Sequence, residues 1–328
     1  RERNLYVEWS VNEKVALEVA AAASFAGLRS MAVMKQNGVN VASDFLLHLT
    51  ASGTRGGIVL VSCEDPGALS SVNEGESRYF ASMLEMPLLE PADFQEAKDI
   101  TKWAFELSEA IGNVVMLRSV TRMSHASGNV TCGKLPTKRR KASFQYDGPV
   151  MDSQTGPMIS TPVVAKHLLR QQRLKDVQRM FDESPFNRYT GPAKPHLLII
   201  TSSACFLYSC EAVEMLGLEK KVGILKLATT WPLPSKLLEK TLRKTKKILI
   251  VEEVMPFLEE NVKVMVTGIV DRIGIKTFFG KYDGTLPSVG ELNPDIVADA
   301  VGRILKVKRK SLPADYQTDV QKTAALIP

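Results

Sequence analysis

Short apolar runs alternate with stretches of helical periodicity along this chain, and the alternation occurs in two separate blocks. The first block contains predicted strands at 31–34, 57–63 and 113–118 and predicted helices at 10–26, 76–85 and 92–111. Strands that are separated by helices favour a mostly parallel sheet with helices on both faces.

The second block repeats this pattern after residue 195. It contains predicted strands at 196–202, 222–227, 248–251 and 276–279 and predicted helices at 205–216, 234–245, 256–270 and 294–305. A regular alternation of this kind is typical of a doubly wound unit. We therefore predict an α/β protein with two doubly wound domains.

The residues between the two blocks differ in composition. Gly, Ser, Pro and Thr are frequent at 126–160, a basic run occupies 138–141, and a charged helix is predicted at 162–181. The predicted boundaries are a first domain at 1–126, a connection at 127–194, a second domain at 195–310 and a tail at 311–328. The sequence is basic from Lys306 and then polar, which predicts a loose tail.

Composition and charge narrow the class of protein. The chain has 328 residues, is 45% hydrophobic and 24% charged, and has a net charge of +6 from 42 basic and 36 acidic residues. These values are typical of a globular protein, and so modest a charge does not require an acidic partner. The mildly apolar stretch 15–28 is mostly alanine and is interrupted by Glu18, so no membrane span is predicted.

The amino terminus begins abruptly, with Arg-Glu-Arg-Asn ahead of a predicted helix, and lacks the pattern of a signal peptide. We therefore expect a cytoplasmic protein and a chain that is part of a longer one. The four cysteines, Cys63, Cys132, Cys205 and Cys210, form no CxxC pair. This spacing predicts reduced thiols and no metal or cluster site.

The segment WSVNEK at 9–14 gives the strongest local signal. Ser10 and Glu13 have the spacing of a capping box, in which the serine caps the helix and the glutamate bonds back to it. The same position would allow the Glu13 carboxylate to reach a ligand at the end of the helix. The residues alone leave both roles open.

Several segments of the chain resemble indolepyruvate ferredoxin oxidoreductases. In the first block they are VEWSVNEK at 7–14, MAVMKQNGVNVASDFL at 31–46, EDPGALSSVNEGESRYFA at 64–81 and RSVTRMSH at 118–125. In the second block they are LKLATTWPLP at 225–234, ILIVEEVMPFLEENVK at 248–263 and GKYDGTLPSVGELNPDIVADA at 280–300. The resemblance extends over about residues 4–305 and indicates the large (alpha) subunit of this 2-oxoacid:ferredoxin oxidoreductase family.

The resemblance implies a cofactor and two kinds of domain. The first domain would bind the aminopyrimidine half of thiamine diphosphate, and the second would be a transketolase C-terminal-like domain used in assembly. Glu13 matches the family glutamate that contacts the aminopyrimidine, and the adjacent Asn12 is a second cofactor-binding candidate. A carboxylate bonded to the N1′ nitrogen favours the imino form of the 4′-amino group, which removes the proton from thiazolium carbon 2. Glu13 is therefore the predicted catalytic residue.

Polar residues that match family positions are the predicted substrate-binding residues. They are Lys35, Asn40, Ser70, Ser71, Asn73, Arg78, Arg122 and His125. Arginine suits a planar carboxylate because of its forked donors, although Arg122 and His125 could also face solvent. Glu252 and Glu253 lie at a strand end, and we interpret them as subunit contacts rather than catalytic residues.

Four positions depart from the family pattern. Gln36 and Leu69 replace histidines, and Val72 and Gly75 replace glutamines. The resemblance implies oxidative decarboxylation of an aryl 2-oxo acid such as indolepyruvate, with coenzyme A as acceptor of the acyl group and ferredoxin as acceptor of the electrons. Because lost hydrogen-bond partners change specificity, another 2-oxo acid or an inactive chain stays open.

Other parts that the family needs do not occur in this sequence. It contains no GDG…N loop for the diphosphate and magnesium and no cysteine motif for iron–sulfur clusters. The resemblance therefore implies that magnesium and 4Fe–4S clusters are bound by other regions or subunits. The expected partners are a diphosphate-binding domain or subunit, a beta subunit and ferredoxin, in an oligomer.

Two other functions are compatible with parts of the sequence. The replacements at Gln36, Leu69 and Val72 would suit a non-catalytic assembly or regulatory subunit that keeps the fold. The basic run at 138–141 would suit a nucleic-acid binder, but no aromatic residues alternate with it to stack on bases. We predict an enzyme component that is incomplete by itself, with no nucleic-acid or membrane partner.

Overall fold

A computed structural model describes residues 5–68, 71–134, 140–308 and 314–325. These residues form two five-stranded sheets, each with four parallel strands and one antiparallel edge strand. Helices pack on both faces of each sheet. The prediction of an α/β protein with two doubly wound sheets is confirmed.

Strands and helices alternate over most of the chain. In chain order the strands are β1 (Ser30–Lys35), β2 (Ile58–Glu64), β3 (Leu88–Leu89), β4 (Val115–Val120), β5 (Arg188–Thr190), β6 (Leu197–Thr201), β7 (Val222–Lys226), β8 (Thr229–Trp231), β9 (Lys247–Val251) and β10 (Thr277–Phe279). The helices are α1 (Glu13–Phe25), α2 (Gln36–Ser52), α3 (Arg78–Met83), α4 (Phe94–Ile111), α5 (Thr121–Ser124), α6 (Val163–Asp182), α7 (Cys205–Met215), α8 (Ser235–Leu242), α9 (Phe257–Thr267), α10 (Val270–Ile273), α11 (Pro294–Leu305) and α12 (Ala314–Ala324).

The first sheet has the strand order β1-β2-β4-β3-β8. Helices α1 and α2 cover one face, where Leu17 packs in the same core as Leu60. Helices α4 and α6 cover the other face, where Ile100 and Phe181 pack in the same core as Val115. Since both faces are covered, the central strands β2 and β4 are mostly apolar.

The second sheet has the strand order β10-β9-β6-β7-β5. The chain passes from β6 to β7 on one side and then to β9 and β10 on the other, which is the order of a doubly wound sheet. Helices α7 and α11 pack on one face with Ile199 and Val301, and α8 and α9 pack on the other with Ile200 and Leu258.

Strand β8 connects the two halves of the chain. It follows β7 of the second sheet but pairs antiparallel with β3 of the first, so that Trp231 lies opposite Leu88. The Glu90 amide extends this pairing by donating to the Ala228 carbonyl at 2.8 Å. The predicted boundaries at 126, 194 and 310 stay predictions, but residues from within the predicted second domain complete the first sheet.

Several elements differ from the prediction. The sequence analysis predicts no helix at 36–52, where α2 lies, because Asn37, Gly38 and Asn40 in its first turns favour loops. The strands β3, β5 and β8 have only two or three residues, which give no periodicity. Residues 314–324 of the predicted tail form the helix α12.

The start of α1 is also different from the prediction. The Asn12 side chain caps this helix, with Oδ1 accepting from the Val15 amide at 3.0 Å. Ser10 lies outside the helix, and its hydroxyl donates to Glu8 at 3.3 Å. The capping-box prediction is therefore wrong, and Glu13 is the first residue of the helix rather than the third.

Candidate functional site

Glu13 lies against the first turn of α2. Its half-buried side chain occupies the space beside Gly38, where an added Cβ would be 3.0 Å from both Cδ and Oε1 of Glu13 and closer still to Cγ. Contacts of this length are too short for real Cβ atoms, so any larger residue at position 38 would displace the carboxyl group. Because Gly38 has no side chain, the Glu13 carboxyl group fits beside it, at the edge of the sheet where the parallel strands end.

Gln36, the first residue of α2, lies in the same helical turn as Gly38. It is 4% exposed, and its Nε2 lies 3.4 Å from both the Ser71 hydroxyl and the Asn73 carbonyl. Its Oε1 atom is buried and accepts no hydrogen bond from any described residue. A buried acceptor without a donor costs about 1–3 kcal/mol, so this atom is suited to a ligand or a water that donates a hydrogen bond.

Gly75 makes room for Gln36. A Cβ at position 75 would be 3.4 Å from Cδ and Nε2 of Gln36 and would collide with its Cγ. Two of the departures from the family pattern, Gln36 and Gly75, are therefore in contact with each other. The sequence could identify both positions but not their contact.

The structure brings some of the predicted substrate-binding residues together and separates others. Ser71 and Asn73 contact Gln36. Lys35 and Asn40 are exposed at the beginning of α2. Ser70 lies outside the described residues. The start of α2 therefore contacts Glu13 through Gly38 and contacts Ser71 and Asn73 through Gln36.

Arg78 lies in the interior of the chain. Its side chain is fully buried, with Nε donating to Glu76 at 2.8 Å and Nη1 donating to Glu252 at 2.7 Å. Its Nη2 donates to the carbonyls of Glu253 and Met255, both at 2.8 Å. These bonds connect α3 of the first half to the end of β9, and the substrate role of Arg78 stays a prediction.

Arg122 and His125 lie after β4, at the same edge of the sheet as Glu13. The Arg122 guanidinium pairs with Glu291 through two bonds of 3.0 and 2.9 Å. His125 is exposed after the short helix α5. No hydrogen bond joins either residue to Glu13 or Gln36 within the described part of the chain, so their substrate roles stay predictions.

A second buried ionic group was missed by the sequence analysis. Arg118 of β4 donates to Glu64 at 2.5 Å and to Glu90 at 2.8 Å. Glu90 also accepts from the hydroxyls of Thr230 (2.7 Å) and Ser202 (3.2 Å), which belong to the second half. The available signal was an arginine inside the apolar strand VMLRSV, since buried arginines need acidic partners.

Glu252 and Glu253 face the interior of the chain, and this corrects their interpretation as subunit contacts. They are 2% and 3% exposed, respectively. Glu252 accepts from the amides of Leu258 and Glu259 at 2.8 Å and so caps α9, while Glu253 accepts from the Leu292 amide at 3.0 Å. Burial raises the pKa of both carboxyl groups to about 7.

The described ranges contain neither a metal-binding cluster nor a membrane-spanning helix. No group of three or more His, Cys, Asp or Glu residues has a geometry that could hold a metal ion. None of the helices there combines the length and the apolar composition that crossing a bilayer requires.

Comparison with known proteins identifies relatives of the whole chain. It is 37% identical over 327 residues to the indolepyruvate oxidoreductase subunit IorA of Archaeoglobus fulgidus, covering 99% of this chain and 50% of the relative. It is also 37% identical over 327 residues to the subunit of the same name from Methanothermobacter thermautotrophicus, covering 99% and 51%. The chain is a relative of these subunits. The predicted resemblance is confirmed, and the chain spans about half the length of the relatives that it matches.

Solved structures support the fold. The 2-oxoglutarate:ferredoxin oxidoreductase of Magnetococcus marinus has a TM-score of 0.64 at 15% identity, covering 92% of this chain and 57% of that one. A split-gene transketolase, solved as an inactive beta4 tetramer, has a TM-score of 0.58 at 18% identity, covering 91% and 83%. No protein-family model matches the chain.

Proposed function

We propose that this chain is a component of a thiamine diphosphate-dependent 2-oxoacid:ferredoxin oxidoreductase and that it contacts the aminopyrimidine half of the cofactor. The observation that carries the proposal is the Glu13 carboxyl group held against the bare backbone of Gly38. Its relatives are indolepyruvate oxidoreductase subunits, which agrees with this assignment.

The residues around Glu13 fit such a cofactor. Gly38 leaves the space that the Glu13 carboxyl group fills, and Gln36 has a buried acceptor that no described residue uses. Glu13 would hold a proton at the ring nitrogen N1′, and the Gln36 Oε1 atom is available to a donor of the cofactor or the substrate. Thiamine diphosphate supplies, when bound, the nucleophilic carbon that attacks a 2-oxo acid. This chain would orient the cofactor and control one of its protons.

The substrate would be an aryl 2-oxo acid such as indolepyruvate, with coenzyme A and ferredoxin as the acceptors. Ser71 and Asn73, which contact Gln36, are the nearest candidates to bind it. Because the Gln36 atom without a partner among the described residues is the acceptor Oε1, Gln36 would recognise a donor group of the ligand. Specificity among 2-oxo acids would therefore depend on Gln36 and its neighbours.

The remaining parts of the enzyme would come from outside this sequence. They are a diphosphate-binding domain or subunit with magnesium, a beta subunit, and 4Fe–4S clusters that pass electrons to ferredoxin. We place the assembled oligomer in the cytoplasm. The second half of the chain would serve in this assembly as a transketolase C-terminal-like domain.

The test is anaerobic reduction of a viologen dye by the complete complex with coenzyme A and a panel of 2-oxo acids that includes indolepyruvate and phenylpyruvate. Glu13→Gln should lower kcat by about 100-fold or more, the contribution typical of a proton-transferring group. Glu18→Gln is the matched control, because Glu18 lies further along the same helix and away from Gly38. It should leave kcat unchanged.

Two results would contradict the proposal. Wild-type kcat in Glu13→Gln would remove Glu13 from the reaction. Absence of activity on every 2-oxo acid, with the cofactor bound and the electron relay intact, would instead indicate a non-catalytic assembly subunit. Activity on other 2-oxo acids alone would keep the reaction and change the substrate.

A further inference from the structure

The loop that contacts Gln36 is bonded to the second half of the chain through Glu74. In this loop the Asn73 carbonyl lies 3.4 Å from the Gln36 amide nitrogen, and Gly75 packs against the Gln36 side chain. Glu74 lies between these two residues, and its half-buried side chain accepts two backbone hydrogen bonds. A shift of Glu74 would therefore change both contacts of Gln36.

A single oxygen atom of Glu74 joins two turns. Its Oε1 atom accepts from the amide of Gly67 at 2.8 Å and from the amide of Gly290 at 2.9 Å. Gly67 follows β2 of the first half, and Gly290 precedes α11 of the second half. The φ angles of the two glycines are 77° and 86°, which residues with a side chain rarely adopt. The carboxylate therefore connects two tight turns from opposite halves of the chain.

The turn at Gly290 is fixed within the second half. The amide of Leu292, two residues further on, donates to the buried Glu253 at 3.0 Å. The Lys281 ammonium group donates to the Pro287 carbonyl at 2.8 Å on the other side of the turn. Because bonds lie on both sides of Gly290, its amide has a fixed position from which to donate to Glu74.

Glu74 holds the loop more strongly than Gln36 does. The distances from the Gln36 Nε2 atom to Ser71 and Asn73 are both 3.4 Å, longer than a normal hydrogen bond. The bonds to Glu74 are 2.8 and 2.9 Å long, and bonds to a carboxylate are roughly twice as strong as those between neutral groups. The position of the loop therefore depends on Glu74 more than on Gln36.

We infer that Glu74 is a positioning residue, through which the second half of the chain holds the loop of Ser71 and Asn73 in place. The inference rests on the proposed function, in which these two residues bind the 2-oxo acid. Glu74 acts through the loop and not on the reacting atoms, so the bond between Glu74 and Gly290 couples substrate binding to the second half. That half then serves substrate binding as well as assembly.

The first test measures KM and kcat for the 2-oxo acid in the complete complex, by anaerobic reduction of a viologen dye. Glu74→Ala should raise KM about tenfold and change kcat less than about twofold, because it displaces groups that bind the substrate and removes no bond made only in the transition state. Glu74→Gln should recover most of this loss, since its amide oxygen can still accept from both glycines. Glu219→Ala is the control, because Glu219 is exposed in the turn after α7, and it should match the wild type.

Hydrogen–deuterium exchange of the same complexes tests the two bonds without relying on activity. In Glu74→Ala the amides of Gly67 and Gly290 lose their acceptor, so peptides that contain these glycines should exchange faster than in the wild type. Glu74→Gln should restore most of the protection. Exchange at the wild-type rate in Glu74→Ala would overturn the inference.

Two kinetic results would also overturn it. A fall in kcat at unchanged KM in Glu74→Ala would place Glu74 in the reaction itself, and equal losses in Glu74→Ala and Glu74→Gln would make its charge essential rather than its acceptor atom. Glu74→Asp is the second test if Glu74→Ala does not assemble, because its shorter side chain cannot reach both amides, and a wild-type KM there would contradict the inference.

Failure of the proposed function is recognised separately. It would appear as a wild-type complex that reduces the dye with none of the 2-oxo acids. The exchange experiment would then still decide whether Glu74 joins the turns at Gly67 and Gly290.

Discussion

Gln36 and Gly75 are distant in the sequence, but the space that each occupies depends on the other. A Cβ at position 75 would collide with Gln36 Cγ. Gly75→Ala should therefore lower the free energy of unfolding by about 1–3 kcal/mol, the usual cost of overpacking. In a Gln36→Ala background the same change should cost almost nothing. Denaturant unfolding of the wild type, the two single variants and the double variant measures this coupling, and additive effects would contradict the contact.

The sequence shows which residues of the candidate site are unusual but not how they are arranged. Gln36, Val72 and Gly75 can be identified because they differ from the family pattern. The contact between Gln36 and Gly75 joins α2 to the loop before α3, so it depends on the packing of the folded chain. The space that Gly38 leaves for Glu13 is equally a property of two packed helices.

At the scale of single elements, the cap of α1 determines where the helix begins and so where Glu13 lies. Asn12→Ala should destabilise the protein by about 1 kcal/mol, because the amide of Val15 would lose its capping acceptor. Ser10→Ala should have almost no effect, since Ser10 lies outside the helix. Thermal unfolding of both variants makes the comparison. A larger loss for Ser10→Ala would restore the capping box that the sequence predicts.

An element can be predicted from the sequence when a local pattern stabilises it, and not when contacts with distant residues do. Strands such as β2 and β6 are buried on both faces, so their apolar runs predict them directly. Helix α2 begins with residues that favour loops, and burial of its face in the core decides its conformation. Strand β8 has three residues and pairs with β3 from the other half of the chain, a long-range contact that no local pattern contains.

At the scale of the whole molecule, buried ionic groups are concentrated where the two sheets meet. The carboxyl groups are those of Glu64, Glu76, Glu90, Glu252 and Glu253, and the guanidinium groups are those of Arg78 and Arg118. Among these described groups the acids outnumber the cations. Uncompensated buried carboxylates favour protonation, so the junction between the sheets should respond to pH.

Stability should therefore decrease as pH rises. Burial raises the pKa of Glu252 and Glu253 from 4.5 to about 7, so the folded state holds their protons more tightly than the unfolded state. This stabilisation is complete below about pH 4.5 and is lost as pH rises through about 7. Burial tends to raise the pKa of Glu76, but the charge and hydrogen bonds of Arg78 hold that pKa below its usual value. The contribution of Glu76 to stability is therefore constant between about pH 5 and pH 8.

The measurement is the thermal unfolding midpoint between about pH 5 and pH 8. We expect the midpoint to fall across this range and the fall to be smaller in Glu253→Gln. The exposed Glu183 provides the control, and Glu183→Gln should keep the wild-type slope. A midpoint that rises with pH would exclude both carboxyl groups as the source, and a wild-type slope in Glu253→Gln would exclude Glu253.

The proposed contact between Glu13 and the aminopyrimidine is tested most directly by the dissociation constant of thiamine diphosphate in the complete complex. Calorimetric titration would compare wild type, Glu13→Gln and the control Glu18→Gln, which changes a residue of the same helix. We predict that Glu13→Gln raises the dissociation constant about tenfold or more, the loss expected for one charged hydrogen bond, and that Glu18→Gln does not change it. Equal dissociation constants in all three proteins would contradict the assignment of Glu13 to the cofactor.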